Sequence, residues 1–371
     1  MDVRSWGLFG TVLLADPRTL GLIGGVLVLL GAANTVLYVL RRRPESSLDP
    51  TLLERFRLRL RGWWILCAML AGAFLAHGAW LTVALFGFLS FWALREFITL
   101  TPTRPGDHRA LFWVFVLCTP AQYVLVGLGK YEFFSILIPV YAFLLIPARI
   151  AISGDTKRFL ERTAKIQAGL LICVYCLSYA PALLKLPFSP PQQAAAPTAV
   201  ALEAARTAPA ANPEEKADTA ANPGESIDER EQAVRGARLL FFFILMVQLS
   251  DALQHAWAQL PSKHAIAPAI SSTKTWEGLL GGTASVTLLG AVLWWATPFN
   301  FLMAAGMSAV VALMGFAGAL TMSAIKRDRG VKDYGTLVEG HGGVLDRIDS
   351  LCFAAPVFFH LTRLYLLRGG A

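Results

Sequence analysis

Charge is the scarcest feature of this sequence. Asp, Glu, Lys and Arg make up 16% of its 371 residues and apolar residues 55%, against about 25% charge in an ordinary soluble domain. That excludes a conventional water-soluble fold and points to a chain that crosses a membrane several times. Cysteine is sparse as well. Cys67, Cys118, Cys173, Cys176 and Cys352 all fall inside apolar runs. The Cys173-x-x-Cys176 pair has no second pair to complete a zinc site, so inert buried thiols are expected. The formal net charge is +8, yet no basic-aromatic stripe or nucleic-acid motif accompanies it, and nucleic acid is not an expected partner. No repeat relates the two halves, which counts against a transporter assembled from internal repeats. A cleavable leader is not expected either, because Asp16-Pro17-Arg18 interrupts the first apolar stretch directly ahead of a full-length span.

What is present is a series of long apolar runs. About 20 such residues cross the hydrocarbon layer, and runs near 20–40, 62–78, 80–98, 110–127, 133–150, 166–185, 237–258, 277–296, 300–323 and 349–367 qualify. They predict an all-α polytopic membrane protein of about ten transmembrane helices. Between the first two runs lie Arg41, Arg42, Arg43, Arg55, Arg57, Arg59 and Arg61, and positive-inside bias puts that loop in the cytoplasm. Alternation then brings the loop with Arg104, His108 and Arg109, and the loop with Lys157, Arg158, Arg162 and Lys165, to the same side. Both are basic, as the bias requires. The strip 53–61 reads equally as an interfacial segment meeting anionic headgroups or as a topology signal alone. Residues 187–235 are rich in Ala, Pro, Glu and Asp without apolar periodicity, the pattern of a disordered linker. The expected organisation is therefore an N-terminal bundle of about six spans over 1–186, this linker, and a C-terminal bundle of about four spans over 236–371.

Against that apolar background one stretch stands out, residues 323–350. It sets Lys326, Arg327, Arg329 and Lys332 beside Asp328, Asp333, Asp346 and Asp349, around the turn Gly340-His341-Gly342-Gly343. Cations, carboxylates and side-chain-free backbone together suit the holding of phosphates and a divalent metal. Two further places carry polar groups. Asp251 sits within the run 237–258 with Gln248, Ser250 and Gln254 on one helix face. It reads as a functional carboxylate or as one that reaches interfacial water from the helix end. Ser271, Ser272, Thr273, Lys274 and Thr275 precede the next run, where they would cap a helix or help its free N–H groups hold an anion. His341 reads equally as a phosphate donor or proton relay and as a turn histidine bonded to backbone.

The spacing of Ser323, Lys326, Arg327, Lys332, Asp333, His341, Gly342, Gly343, Asp346, Arg347 and Asp349 resembles the signature of the phosphatidate cytidylyltransferases, or CDP-diacylglycerol synthases. Ser271, Lys274, Thr275, Glu277 and Gly278 resemble that family's second element, and Arg95-Glu96 is a weaker match. The likeness is strong over roughly 240–365 and elsewhere rests on hydrophobic character. Many bacterial members carry Asp where this chain has Ala319, which removes one candidate metal ligand, and Glu339 replaces a usual Pro.

The resemblance implies an enzyme that joins CTP to phosphatidic acid, drawn from membrane lipid, to give CDP-diacylglycerol and pyrophosphate. It would sit in the bacterial inner membrane with its site facing the cytoplasm, and the family leans towards a homodimer. Asp251, Asp346 and Asp349 are the expected ligands of one or two cations, Mg²⁺ given all-oxygen donors. Lys326 and Arg327 join them as catalytic candidates. Ser271, Lys274, Thr275, Ser323, Lys332, His341, Gly342, Gly343 and Arg347 are candidates for binding nucleotide or lipid phosphate. The competing expectations are a CTP-dependent kinase acting on a polyprenol-type alcohol, a polytopic transporter, and a structural scaffold.

Overall fold

The computed structural model describes residues 17–42, 79–100, 103–188, 223–259, 264–335 and 342–369. The run at 62–78, the basic strip 53–61 and His341 lie outside them. The apolar runs form helices: α1 Pro17–Arg42, α2 Ala79–Thr99, α3 Pro105–Gly127, α4 Tyr131–Ala151, α5 Phe159–Lys185, α6 Pro223–Trp257, α7 Trp276–Val292, α8 Phe301–Asp328 and α9 Leu345–Leu367. Among the described residues seven helices are long and apolar enough to cross a membrane, namely α2 to α5, α6 from Glu231 onward, α8 and α9. Helix α7, at 17 residues, falls a turn short of the usual span. The fold is all-α in its membrane body, as expected.

Two local features were not expected from the sequence. The polar segment before α7 is a small antiparallel hairpin, β1 Ala265–Ala267 and β2 Ser271–Thr275, with Ala267 opposite Ser271 and Ala265 opposite Thr275. Helix α6 starts at Pro223, well inside the stretch read as linker. Pro suits a first helical position, where its missing N–H costs nothing, and Ala and Glu favour helix without an apolar face. Arg235 and Glu231, one turn apart, form an ion pair at 2.6 Å on this extension. Residues 189–222 lie outside the described ones.

Helices α3, α4 and α5 each widen into a π turn, at Val114–Cys118, Leu137–Ala142 and Leu170–Cys176. Pro139 lies within the second of these turns and Pro120 two residues past the first; a proline ring removes an N–H donor, and a wider turn re-pairs the backbone. Thr119 donates both its backbone N–H and, at 2.9 Å, its hydroxyl to the Val114 carbonyl.

The two predicted bundles share one interior, a continuous apolar cluster running from Val83 to Phe359. Helix α9 joins them. Its Phe358 stacks on Phe243 of α6 at 4.9 Å, and its Phe359 meets Tyr179 of α5 at 5.1 Å. Between helices in a bilayer the gain is close packing rather than escape from water, so small residues matter where helices cross. Gly318 of α8 is such a place: a Cβ there would come within 2.9 Å of the Asp349 carbonyl oxygen on α9.

Helix ends cluster on one face. Glu96 near the end of α2 meets the start of α9, Asp107 in the first turn of α3 meets Arg162 of α5, and Arg329 after α8 meets Glu161 of α5 at 3.5 Å. At the opposite face Gly21 of α1 lies against Trp295, just after α7.

Candidate active site

A cavity of about 510 Å³ opens at the common end of α6, α7, α8 and α9. Asp251 of α6, Lys274 and Thr275 of β2 and Ser323 of α8 line it, and so do Asp346, Arg347 and Asp349 from the first turns of α9. Gln248, Asp251 and Gln254 all face it, so the polar stripe read on α6 is the wall of a site. The charged motif and the hairpin, some 50 residues apart in sequence, meet across this one space.

At its floor Ser350 ties two carboxylates together. Its hydroxyl donates to Asp251 Oδ1 at 2.9 Å, and its backbone N–H donates to Asp349 Oδ1 at 2.7 Å. Asp349 also feels Asp251 as a like charge and Lys274 and Lys326 as opposite ones. Ser350 is buried and was not anticipated. Its only signal was its place directly after the last motif aspartate.

Asp346 behaves differently from expectation. Its Oδ1 takes the Lys326 ammonium at 2.7 Å, and its Oδ2 accepts the N–H groups of Tyr334 and Gly343, each at 2.9 Å. Both oxygens are occupied, because a short carboxylate in the first turn of a helix lies within reach of free backbone donors. Among the described residues no group of three His, Cys, Asp or Glu side chains could hold a metal. Of the expected trio, Asp251 and Asp349 are thus brought together at Ser350, while Asp346 fastens the loop beside them.

The other candidates divide in the same way. Lys326 is spent on Asp346 and lies 5.4 Å above the Tyr334 ring. Arg327 points away from the cavity wall and donates Nε–H to the Ile270 carbonyl at 3.1 Å, clasping the hairpin turn. Thr275 is buried, and its Oγ1 accepts the Gly278 N–H at 3.1 Å, which makes it the N-cap of α7. Ser271 pairs its hydroxyl with Thr273 at 3.0 Å, and Ser323 donates to the Ala319 carbonyl of its own helix at 2.7 Å. Lys332 is exposed in the turn after α8. Lys274 reaches over the Phe316 ring at 5.1 Å and, with Arg347, is a cation of the cavity wall. Gly342 adopts φ +76°, a left-handed conformation that glycine takes without strain. A Cβ on it would also come within 2.9 Å of Asp346 Oδ2.

Two residues of α2 complete the surroundings. Glu96 accepts the N–H groups of Val344 and Leu345 at 2.9 and 2.8 Å, and Phe97 stacks on Tyr334 with centroids 6.4 Å apart. The Tyr334 hydroxyl donates to the Met322 carbonyl at 2.8 Å. Burial first, then the charges of Asp346 and Asp349, push its phenol pKa upward, which keeps that donor protonated.

The model of the Cytidylyltransferase family matches residues 57–365. Over 349 residues the chain is 31% identical to the uncharacterized protein YnbB of Escherichia coli strain K12, covering 93% of this chain and 98% of that one. It is 33% identical over 129 residues to the phosphatidate cytidylyltransferase of Staphylococcus aureus strain COL, and 36% identical over 129 residues to that of Staphylococcus epidermidis strain ATCC 12228. Those matches cover 34% of this chain and 50% of each Staphylococcus enzyme, so the chain spans about half the length of these relatives. Because the family match takes in the α2 carboxylate, the hairpin and the whole α8–α9 loop, this chain is a member of the cytidylyltransferase family, and an integral membrane one.

Proposed function

We propose that this protein is a phosphatidate cytidylyltransferase of the bacterial inner membrane, with its site open to the cytoplasm, where CTP is found. The observation that carries the reading is the Ser350 bridge between Asp251 and Asp349 at the floor of a cavity whose wall holds Lys274 and Arg347. Two anionic substrates must be brought together there. In the reaction an oxygen of the lipid phosphate forms a bond to the α-phosphorus of CTP, and the bond from that phosphorus to the bridging oxygen breaks, its electron pair leaving with pyrophosphate. Lys274 and Arg347 neutralise and orient the phosphates, Arg347 with a guanidinium suited to bidentate contact. Leu249, Leu253 and Phe316, which line the same cavity, suit the acyl end of a lipid.

Mg²⁺ fits this donor set. The ion is commonly held by one or two carboxylates plus substrate phosphates rather than by a full protein cage, and Asp251 and Asp349 supply two. When bound it would offset the negative charge of the triphosphate. Purified full-length protein in detergent, given CTP labelled at the α-phosphate and phosphatidic acid, should release pyrophosphate and form a CMP-bearing lipid, with EDTA abolishing turnover and Mg²⁺ restoring it. Release of CDP with phosphorylation of a lipid alcohol would replace this reading with the kinase.

A further inference from the structure

Glu96 is out of place in its own helix. Its side chain is buried, with 5% of the residue's surface exposed, and it lies in the last turn of α2, where the helix dipole is unfavourable to a negative charge. A buried carboxylate needs partners, and Glu96 finds them 248 and 249 residues away, in the first free N–H groups of α9. Space is kept for it on that side. A Cβ on Gly343 would collide with Glu96, coming within 2.7 Å of its Cδ, and one on Gly335 would reach 2.9 Å from Oε1. Next to it Phe97 stacks on Tyr334, whose N–H is held by Asp346. Two adjacent residues of α2 therefore grip the ends of the α8–α9 loop from outside the C-terminal bundle.

We infer that Glu96 is a positioning residue for the transfer reaction. By fixing the N-terminus of α9 it sets the depth and rotation at which Asp346, Arg347, Asp349 and Ser350 meet Asp251 and Lys274. This assigns a role in turnover to the N-terminal helices, of which no described residue lines the cavity. The inference rests on the function proposed above.

Glu96→Gln exchanges one acceptor oxygen for an amide that faces an N–H group. It should lower kcat by roughly 10–100-fold, the range seen when the support of a site residue is removed, and leave KM for CTP within about threefold. Hydrogen–deuterium exchange on the same full-length protein should rise by at least about tenfold over 342–350, as expected when a local clamp opens, and stay unchanged over α8. Gly343→Ala, which crowds the same carboxylate from the opposite side, should have the same two effects. The double variant should be no slower than the slower single one, since both act on one contact. Unchanged kcat in Glu96→Gln, fully additive losses, or exchange that rises throughout the protein would each overturn the inference. If the wild type forms no CMP-bearing lipid at all, the proposed function fails, while the exchange measurements still decide whether Glu96 holds α9.

Discussion

On α3 and α5 the buried charges Asp107 and Arg162 are consumed by one another, whereas in the helices after residue 223 several charged groups line a cavity. Arg162 on α5 shows the first pattern. Its Nε donates to both oxygens of Asp107 at 3.0 and 3.1 Å, and its terminal nitrogens reach Asp107 Oδ1 at 2.5 Å and the Asp155 and Lys157 carbonyls at 3.1 and 2.9 Å. With side-chain exposures of 10% and 2%, this pair is sealed from solvent and saturated. Asp251, Lys274, Arg347 and Asp349 show the second pattern, since each presents surface to one shared space. Residue type alone does not separate architecture from chemistry here. Whether a charged group lines the shared cavity does.

The largest effect should come from breaking the saturated pair. Arg162→Met leaves Asp107 buried without its partner, a change that typically costs about 3–5 kcal/mol. Unfolding in detergent should show that loss, while the rate per folded molecule stays near that of the wild type. Making Asp107→Leu as well should recover most of the stability, because the stranded charge is then gone. A strong loss of rate with stability intact would mean that the N-terminal charges take part in chemistry, and the contrast between the halves would collapse.

The reverse signature is expected at the cavity floor. Asp349→Asn keeps the shape and removes the charge, so kcat should fall about 10²–10³-fold, the scale of losing one electrostatic contact to a transition state, with little change in unfolding. Asp251→Asn should behave alike, since Ser350 ties the two side chains to one position. Near-normal rates in Mg²⁺ for either variant would refute the pairing of these carboxylates as the core of the site.

Much of this was readable before any coordinates, and the reasons for the remainder are physical. Helix positions followed from apolar length. The membership of the site was legible as well, because Asp251, Lys274, Asp346 and Asp349 stand out as ions within apolar sequence. Their division of labour was not. Asp346 and Asp349 share a helix face three residues apart, yet only Asp346 is close to the free N–H groups of Tyr334 and Gly343, and that depends on how the preceding loop turns back. Glu96 could not be assigned from spacing, since its partners lie some 250 residues on and are backbone groups of no particular residue type. The hairpin was hidden because β2, Ser271–Thr275, is polar and short, without the alternation that marks a strand.

The smallest effect tests the boundary between the two patterns at Thr275, a cavity-lining residue whose hydroxyl oxygen caps α7. Its Oγ1 accepts the Gly278 N–H, and truncating such a cap usually costs about 1 kcal/mol. Thr275→Ala should therefore lower stability by about that amount, Thr275→Ser should restore it, and KM for CTP should shift less than twofold in either. A tenfold rise in KM for the alanine variant, restored by serine, would give the hydroxyl to the nucleotide. Saturation would then cease to separate framework from site within β2, and the sharper criterion would be which partner the hydroxyl keeps once phosphate arrives.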